Sequence, residues 1–242
     1  MSFRLSISLV LALGFLGLLR AQDTTGTLVG SIKGDDYLSA TGVFRVKIPV
    51  LPELGGSISD TDNVVTFQDS FIMHQSIACF KMDATQRWEE ETRGHKEYLI
   101  WFFTNFVQAD FLQRFPGASI ESAQFLPNIE SGTLLAYNLL PGGSMFAHKT
   151  TGFHQHDAPV AKRGNLVFVR NGYVYIISIE LAEKALEGSS FSKTVAEEDA
   201  LLRTRLLGFL GKITFTVPLP APATDVKSPV PAPSADAPTK EH

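Results

Sequence analysis

Cysteine is nearly missing from this 242-residue chain, and the one present, Cys79, excludes a disulfide-stapled fold, because bridges need pairs. Cys79 stands between Ala78 and Phe80 in an apolar run, where a thiol is expected to behave as a small buried hydrophobe. Long apolar runs are missing apart from one. Residues 5–19 supply about fifteen apolar positions, short of the roughly twenty that a membrane span requires. An excess of positive charge is missing as well: 21 Lys and Arg stand against 25 Asp and Glu, which excludes the basic footprint of a nucleic-acid binder. The sequence holds no Gly-x-Ser-x-Gly elbow, His-Glu-x-x-His pair, dinucleotide fingerprint or Cys–His pairing, and no internal repeat. With those motifs absent, the expectation is a protein that is not an enzyme.

What is there begins with an address. Arg4, the apolar run and the Arg20-Ala21 junction before a polar stretch have the three-part layout of a secretory signal, so residues 1–21 are expected to be a signal peptide. The mature protein is then secreted or periplasmic, with no transmembrane span after cleavage. Losing Arg4 and Arg20 leaves 19 basic against 25 acidic residues, a mature charge of −6. Residues 22–36 read as a polar leader and residues 37–216 as a single domain. Residues 217–242 hold seven of the thirteen prolines and no aromatic residue, a composition that predicts a disordered Pro/Ala-rich tail.

Within the domain, Phe44 to Ile48 alternates apolar and basic positions, the mark of a strand with one wet face, closed by Pro49. Residues 64–67 and 71–80 read as a hairpin joined by Gln68-Asp69-Ser70, and the second arm is apolar on both faces. Asp83 with Gln86 forms a capping-box pattern for a short helix. A longer aromatic helix follows over about 96–115, with Leu99, Phe102, Phe103, Phe106 and Phe115 on one side and Pro116-Gly117 as its stop. Strands are expected at about 119–126 and 133–140. Asn171-Gly172 supplies the two positive-φ positions of a primed two-residue turn between 166–170 and 173–180, and the arm after it again has two apolar faces. Thr194 with Glu197 caps a helix striped by Val195, Leu202, Leu206 and Phe209, which Gly211 ends, and residues 213–217 close as an edge strand.

An antiparallel strand with one wet face alternates cleanly, so two strands with two apolar faces must be covered on both sides. The expected fold class is therefore α+β: a mostly antiparallel sheet with helices on both faces, a three-layer α/β/α sandwich.

The order hairpin, long helix, further antiparallel strands, helix, opened by Phe44-Arg45-Val46-Lys47-Ile48-Pro49, resembles the PsbP-like family, including exported bacterial proteins of the DcrB type. The resemblance covers about residues 37–216. It implies a compact accessory domain that binds another envelope protein or supports assembly. It implies no catalytic residues.

The chemical candidate is the group His148, His154, His156 and Asp157, in which His154 and His156 would point the same way on a strand. Neutral imidazoles suit zinc or copper, and three ligands with one open position would make a catalytic centre. The plainer reading is a solvated Gly/Thr/His loop, and no cofactor is expected. His74 and His95 read as structural. Pro141-Gly142-Gly143-Ser144 and Asp60-Thr61-Asp62-Asn63 read as turns, Glu89-Glu90-Glu91 as a solvated helix face, and Lys162-Arg163-Gly164-Asn165 as a solvated hairpin edge. Three functions stay open: an exported non-catalytic binding or accessory domain of the cell envelope, a metal-binding protein or metal-dependent hydrolase on the His-rich loop, and a carrier of a small apolar ligand. The first is the one taken, and it calls for a partner surface richer in exposed apolar residues than scattered singles.

Overall fold

The computed structural model describes residues 28–147 and 159–216. The expected signal peptide, the proline-rich tail and the residues His148, His154, His156 and Asp157 lie outside the described residues.

Every strand pairing among the described residues is antiparallel, as the hairpin signals foretold, but the strands divide between two sheets. The larger contains β4 (Ser57–Asp60), β5 (Val64–Gln68), β6 (His74–Lys81), β7 (Ser119–Leu126), β8 (Thr133–Pro141), β9 (Val160–Arg170) and β10 (Tyr173–Glu180), in the order β4-β5-β6-β10-β9-β8-β7. The smaller is β1 (Ser31–Lys33), β2 (Asp36–Leu38), β3 (Phe44–Lys47) and β11 (Ile213–Phe215), in the order β1-β2-β3-β11. The stretch read as a polar leader thus contributes β1 and the start of β2. Asp60 fixes that stretch to the large sheet. Its carboxylate accepts from the backbone N–H groups of Val29 (3.0 Å) and Gly30 (2.7 Å) and from the Tyr37 hydroxyl (2.7 Å).

The two strands with two apolar faces, β6 and β10, lie side by side at the centre of the large sheet, where both faces are covered. One face packs Ile77, Cys79, Leu166, Phe168, Tyr175 and Ile177 against the small sheet and α5 (Val195–Leu210). The capping box opens α5: Thr194 accepts from Glu197 N, and the Glu197 carboxylate accepts from Thr194 N. Of its expected stripe, Leu202, Leu206 and Phe209 are buried, at about 1.5–3 kcal/mol per fully buried side chain, whereas Val195, in the first turn where the helix has not yet reached the sheet interior, is exposed. The close seat depends on Gly164, where a Cβ would stand 2.8 Å from Leu206 Cδ1.

The opposite face packs Val64, Ala78, Leu134, Val167 and Ile176 against the aromatic helix. That helix has more structure than its apolar stripe announced. After α1 (Ala84–Arg93), capped by the predicted Asp83/Gln86 box, α2 (His95–Phe102) runs into a π turn (Phe103–Val107) and then α3 (Gln108–Arg114). A π turn admits an extra residue and shifts the register of the helix beyond it. Here it leaves Thr104 and Asn105 exposed and returns Val107 and Gln108 to the interior. α4 (Ala182–Glu187) lies beside β9, and the turn between β9 and β10 is the predicted one, with Asn171 and Gly172 at φ 52° and 74°.

The predicted hairpin at residues 71–80 starts later than expected. β6 begins at His74, and Phe71 and Ile72 stand in the connecting turn with their side chains exposed. The physical reason is Asp69, whose carboxylate accepts from Phe71 N (2.7 Å) and Met73 N (2.9 Å) and so diverts both N–H groups from a ladder.

Candidate functional site

The helix-covered face of the large sheet changes character along the strands. Register sets three rows across β5, β6, β10, β9 and β8. The first is Val64, Ala78, Ile176, Val167, Leu134; the second is Thr66, Ser76, Ser178, Asn165, Ala136; the third is Gln68, His74, Glu180, Arg163, Asn138. An apolar row gives way to small polar residues and then to charged ones.

A directed chain of hydrogen bonds ties the polar rows to the helix. Ser178 Oγ donates to Asn165 Oδ1 (2.7 Å), Asn165 Nδ2 to Asn138 Oδ1 (2.9 Å), Asn138 Nδ2 to Gln108 Oε1 (2.6 Å), and Gln108 Nε2 to the Ala118 carbonyl (3.0 Å). A buried polar group without a partner is costly, so this chain selects one register of α3 on the sheet.

The third row centres on the Glu180 carboxylate, which is fully buried. It accepts from Ser144 Oγ at 2.6 Å and Met145 N at 3.1 Å, lies 3.7 Å from the Arg163 guanidinium, and lies 3.6 Å from His74 Nδ1. Arg163 also donates to the Gly143 carbonyl (2.8 Å), and burial draws its guanidinium below the usual value. Burial first, and the Arg163 charge second, hold the His74 imidazole well below its ordinary range, so it is neutral at pH 7. The sign of the linkage follows. A depressed imidazole gives stability that is complete above about pH 6.5 and falls with acidification below it, at about 1.4 kcal/mol per pH unit for one proton. Urea denaturation of wild type and His74→Gln at pH 7.5, 6.5 and 5.5 should show wild type losing the more stability towards acid; parallel slopes would exclude a neutral buried His74.

On the other face, Lys162 Nζ, also fully buried, pairs with Glu121, with Glu198 (2.9 Å) and with Asp199 (2.7 Å), and the second Glu198 oxygen meets Lys184 (2.6 Å). Lys162 and Arg163 therefore do not form a solvated hairpin edge. They are consecutive buried residues inside β9, one pointing to each face and each matched by acids. The signal for this was available: residues 160–161 and 166–170 are strand-like on either side of the pair, so a single strand could run through it.

The Ser144 and Ser178 hydroxyls donate to a carboxylate and an amide oxygen, and the Cys79 thiol, pushed up to about 12 by burial, stays protonated as expected of a small buried hydrophobe. His95 is structural, its ring joining Glu90 (2.8 Å) to the Gly132 carbonyl (3.0 Å). No group of three metal-ligating side chains occurs among the described residues; the zinc or copper ligands considered from sequence, His148, His154, His156 and Asp157, lie outside them.

Where the sheet meets solvent at the same end of β5 and β6, two loops form an apolar tip. A 3-10 turn (Pro52–Leu54) carries Leu51, 57% exposed, and Leu54, 42% exposed; the β5–β6 turn carries Phe71, 55%, and Ile72, 44%. One backbone hydrogen bond joins the two loops, Ser70 N to the Leu54 carbonyl (3.0 Å), and two more close the 3-10 turn itself, Gly55 N to Pro52 O (2.9 Å) and Gly56 N to Leu51 O (2.9 Å). A Cβ on Gly55 would fall 2.2 Å from Ser70 Oγ, so only glycine lets the loops close this far. Apolar patterning places Phe71 and Ile72 on a strand and hides the tip; the clue was Asp69, two residues before Phe71 and four before Met73.

No family profile and no curated protein matches this chain. Among solved structures, cyanobacterial PsbP (CyanoP) from Synechocystis sp. PCC 6803 is similar with a TM-score of 0.46 and 12% identity, over 78% of this chain and 99% of that one. A structure from Bacteroides thetaiotaomicron VPI-5482 is similar with a TM-score of 0.30 and 12% identity, over 68% of this chain and 50% of the other.

Proposed function

We propose that this chain is an exported, non-catalytic accessory module of the cell envelope that works by binding another protein. The observation that carries the reading is the apolar tip. Single exposed apolar residues are ordinary on protein surfaces, but four large ones on two mutually bonded loops form a patch with a shape, and such patches mark interaction sites. The buried charges support it from the other direction: Lys162, Arg163, Glu180 and Glu198 are engaged in holding helices and turns to the sheet. The signal-like first 21 residues supply the location. Among the described residues, no helix is long and apolar enough to cross a membrane.

The test is fractionation of the native cells followed by reversible chemical cross-linking of the tagged full chain. Recovery outside the cytoplasm in one defined protein complex is the expected result. A cytoplasmic location, or turnover of a substrate by the purified chain, would overturn the reading.

A further inference from the structure

The same tip says what kind of partner it takes. From Ile48 to Phe80 the chain has no Lys or Arg, while Glu53, Asp60, Asp62 and Asp69 all fall within that stretch. The one histidine there, His74, is buried and neutral. Lysine appears only at its two borders, Lys47 and Lys81. Glu53 sits between Leu51 and Leu54, and Asp69 forms the base of the turn that presents Phe71 and Ile72. Asp60 and Asp62 lie at the opposite end of the β4–β5 hairpin, so Glu53 and Asp69 are the acids on the loops that carry the four apolar anchors. The backbone of those loops is already tied down and loses little freedom on binding.

Resting on the accessory-module reading, we propose that this tip receives an apolar segment of a partner protein flanked by lysine or arginine. The anchors would bury the partner's aliphatic or aromatic side chains, and the flanking cations would face Glu53 and Asp69, steering the encounter and fixing its orientation. Charge argues against the other occupants. A second copy of this chain would meet the tip with the same patch across a two-fold axis, setting acid against acid. An anionic lipid surface would be repelled by the same two acids. The chain's own residues 217–242 carry Lys227 and Lys240 against Asp225, Asp236 and Glu241, and so bring no net positive charge.

The experiment places the photo-cross-linker p-benzoylphenylalanine at Leu54 or Phe71, with Ile100 and Ser190 as exposed control positions, in the full chain expressed in its own cells. All four sites are solvent-facing, so folding is undisturbed. The cross-linked peptides are then sequenced. The expected result is capture from Leu54 and Phe71, and not from the controls, of a protein segment with aliphatic or aromatic residues beside at least two Lys or Arg, with the yield falling about fivefold or more in Glu53→Lys. Capture of lipid, of a second copy, or of a segment without flanking cations overturns the proposal, as does a yield indifferent to Glu53→Lys. A protein captured only from Ile100 or Ser190 overturns the tip assignment while leaving the accessory reading standing. No protein captured from any position sinks both.

Discussion

Lys162→Met is expected to cost about 3–5 kcal/mol of folding stability at pH 7, the loss typical when one partner of a buried ion cluster is removed. The ammonium has three protons to give, and Glu121, Glu198 and Asp199 converge on it. Methionine fills a similar volume, so the loss is of charge rather than of packing. Burial pulls Lys162 towards its neutral form, but the three carboxylates outweigh that and hold it above the usual lysine range; in Glu198, burial pulls the other way and Lys162 and Lys184 outweigh it, holding the carboxyl below the usual range. The signs fix the pH window. The raised lysine contributes fully below about pH 10.5 and is lost as pH climbs past its folded value, whereas the depressed Glu198 contributes above about pH 4.3 and is lost as pH falls through its folded value. Wild type therefore holds both contributions across neutral pH. In Lys162→Met the carboxylates face one another without their shared cation, and taking up a proton relieves them. The gap between the two proteins should accordingly narrow from pH 7 to pH 4.5 in urea denaturation. Glu121→Gln added to Lys162→Met should restore part of the loss, with a coupling of roughly 1 kcal/mol or more. A gap under about 1 kcal/mol at pH 7, or one that widens in acid, would mean the cluster is wet.

The sequence was most legible where a local pattern and the tertiary demand agree. Asn171-Gly172, the Asp83/Gln86 and Thr194/Glu197 boxes and the two-faced strands around Ile77 and Ile177 each carry their own physical requirement, and each sits where that requirement placed it. The misplacements arise where a distant partner decides. Lys162 and Arg163 look like surface residues until Glu198 and Glu180 are brought against them from 36 and 17 residues further along the chain. The π turn at Phe103 is invisible to helical periodicity because α-helix stands on both sides of it, and it is docking on the sheet, with Val107 and Gln108 turned inward, that requires the extra residue. The docking of residues 29–37 on the large sheet follows from Asp60, whose carboxylate draws in Val29, Gly30 and Tyr37; the stretch 60–63 reads as a turn and gives no sign of that reach. The apolar tip belongs with these cases. Phe71 and Ile72 have strand-forming side chains, and it is Asp69 that turns their backbone out of the ladder and their side chains into solvent.

Glu180→Leu carries the other large effect, and it acts on the helix-covered side of the same strand pair. Glu180 is the anion that faces the Arg163 guanidinium inside the sheet and the acceptor for Ser144 Oγ and Met145 N. Leucine preserves bulk but leaves Arg163 a buried cation facing the Gly143 carbonyl without its counter-charge, and that too should cost about 3–5 kcal/mol. The loss has a local signature that a simple packing defect would lack. With the carboxylate gone, the Met145 amide has no acceptor there, so its hydrogen exchange should accelerate towards the rate of an open backbone, while amides of β6 and β10 near Ile77 and Ile177 keep their rank as the most protected. Glu180→Gln separates the two duties. Its amide oxygen can still accept from Ser144 or Met145, so the 141–147 segment stays closed, but it offers Arg163 a dipole in place of a charge, and a loss about half as large is expected. Equal losses in the two variants would show that charge alone matters at Glu180; a loss in Glu180→Leu without faster exchange at Met145 would show that this segment is held by other contacts.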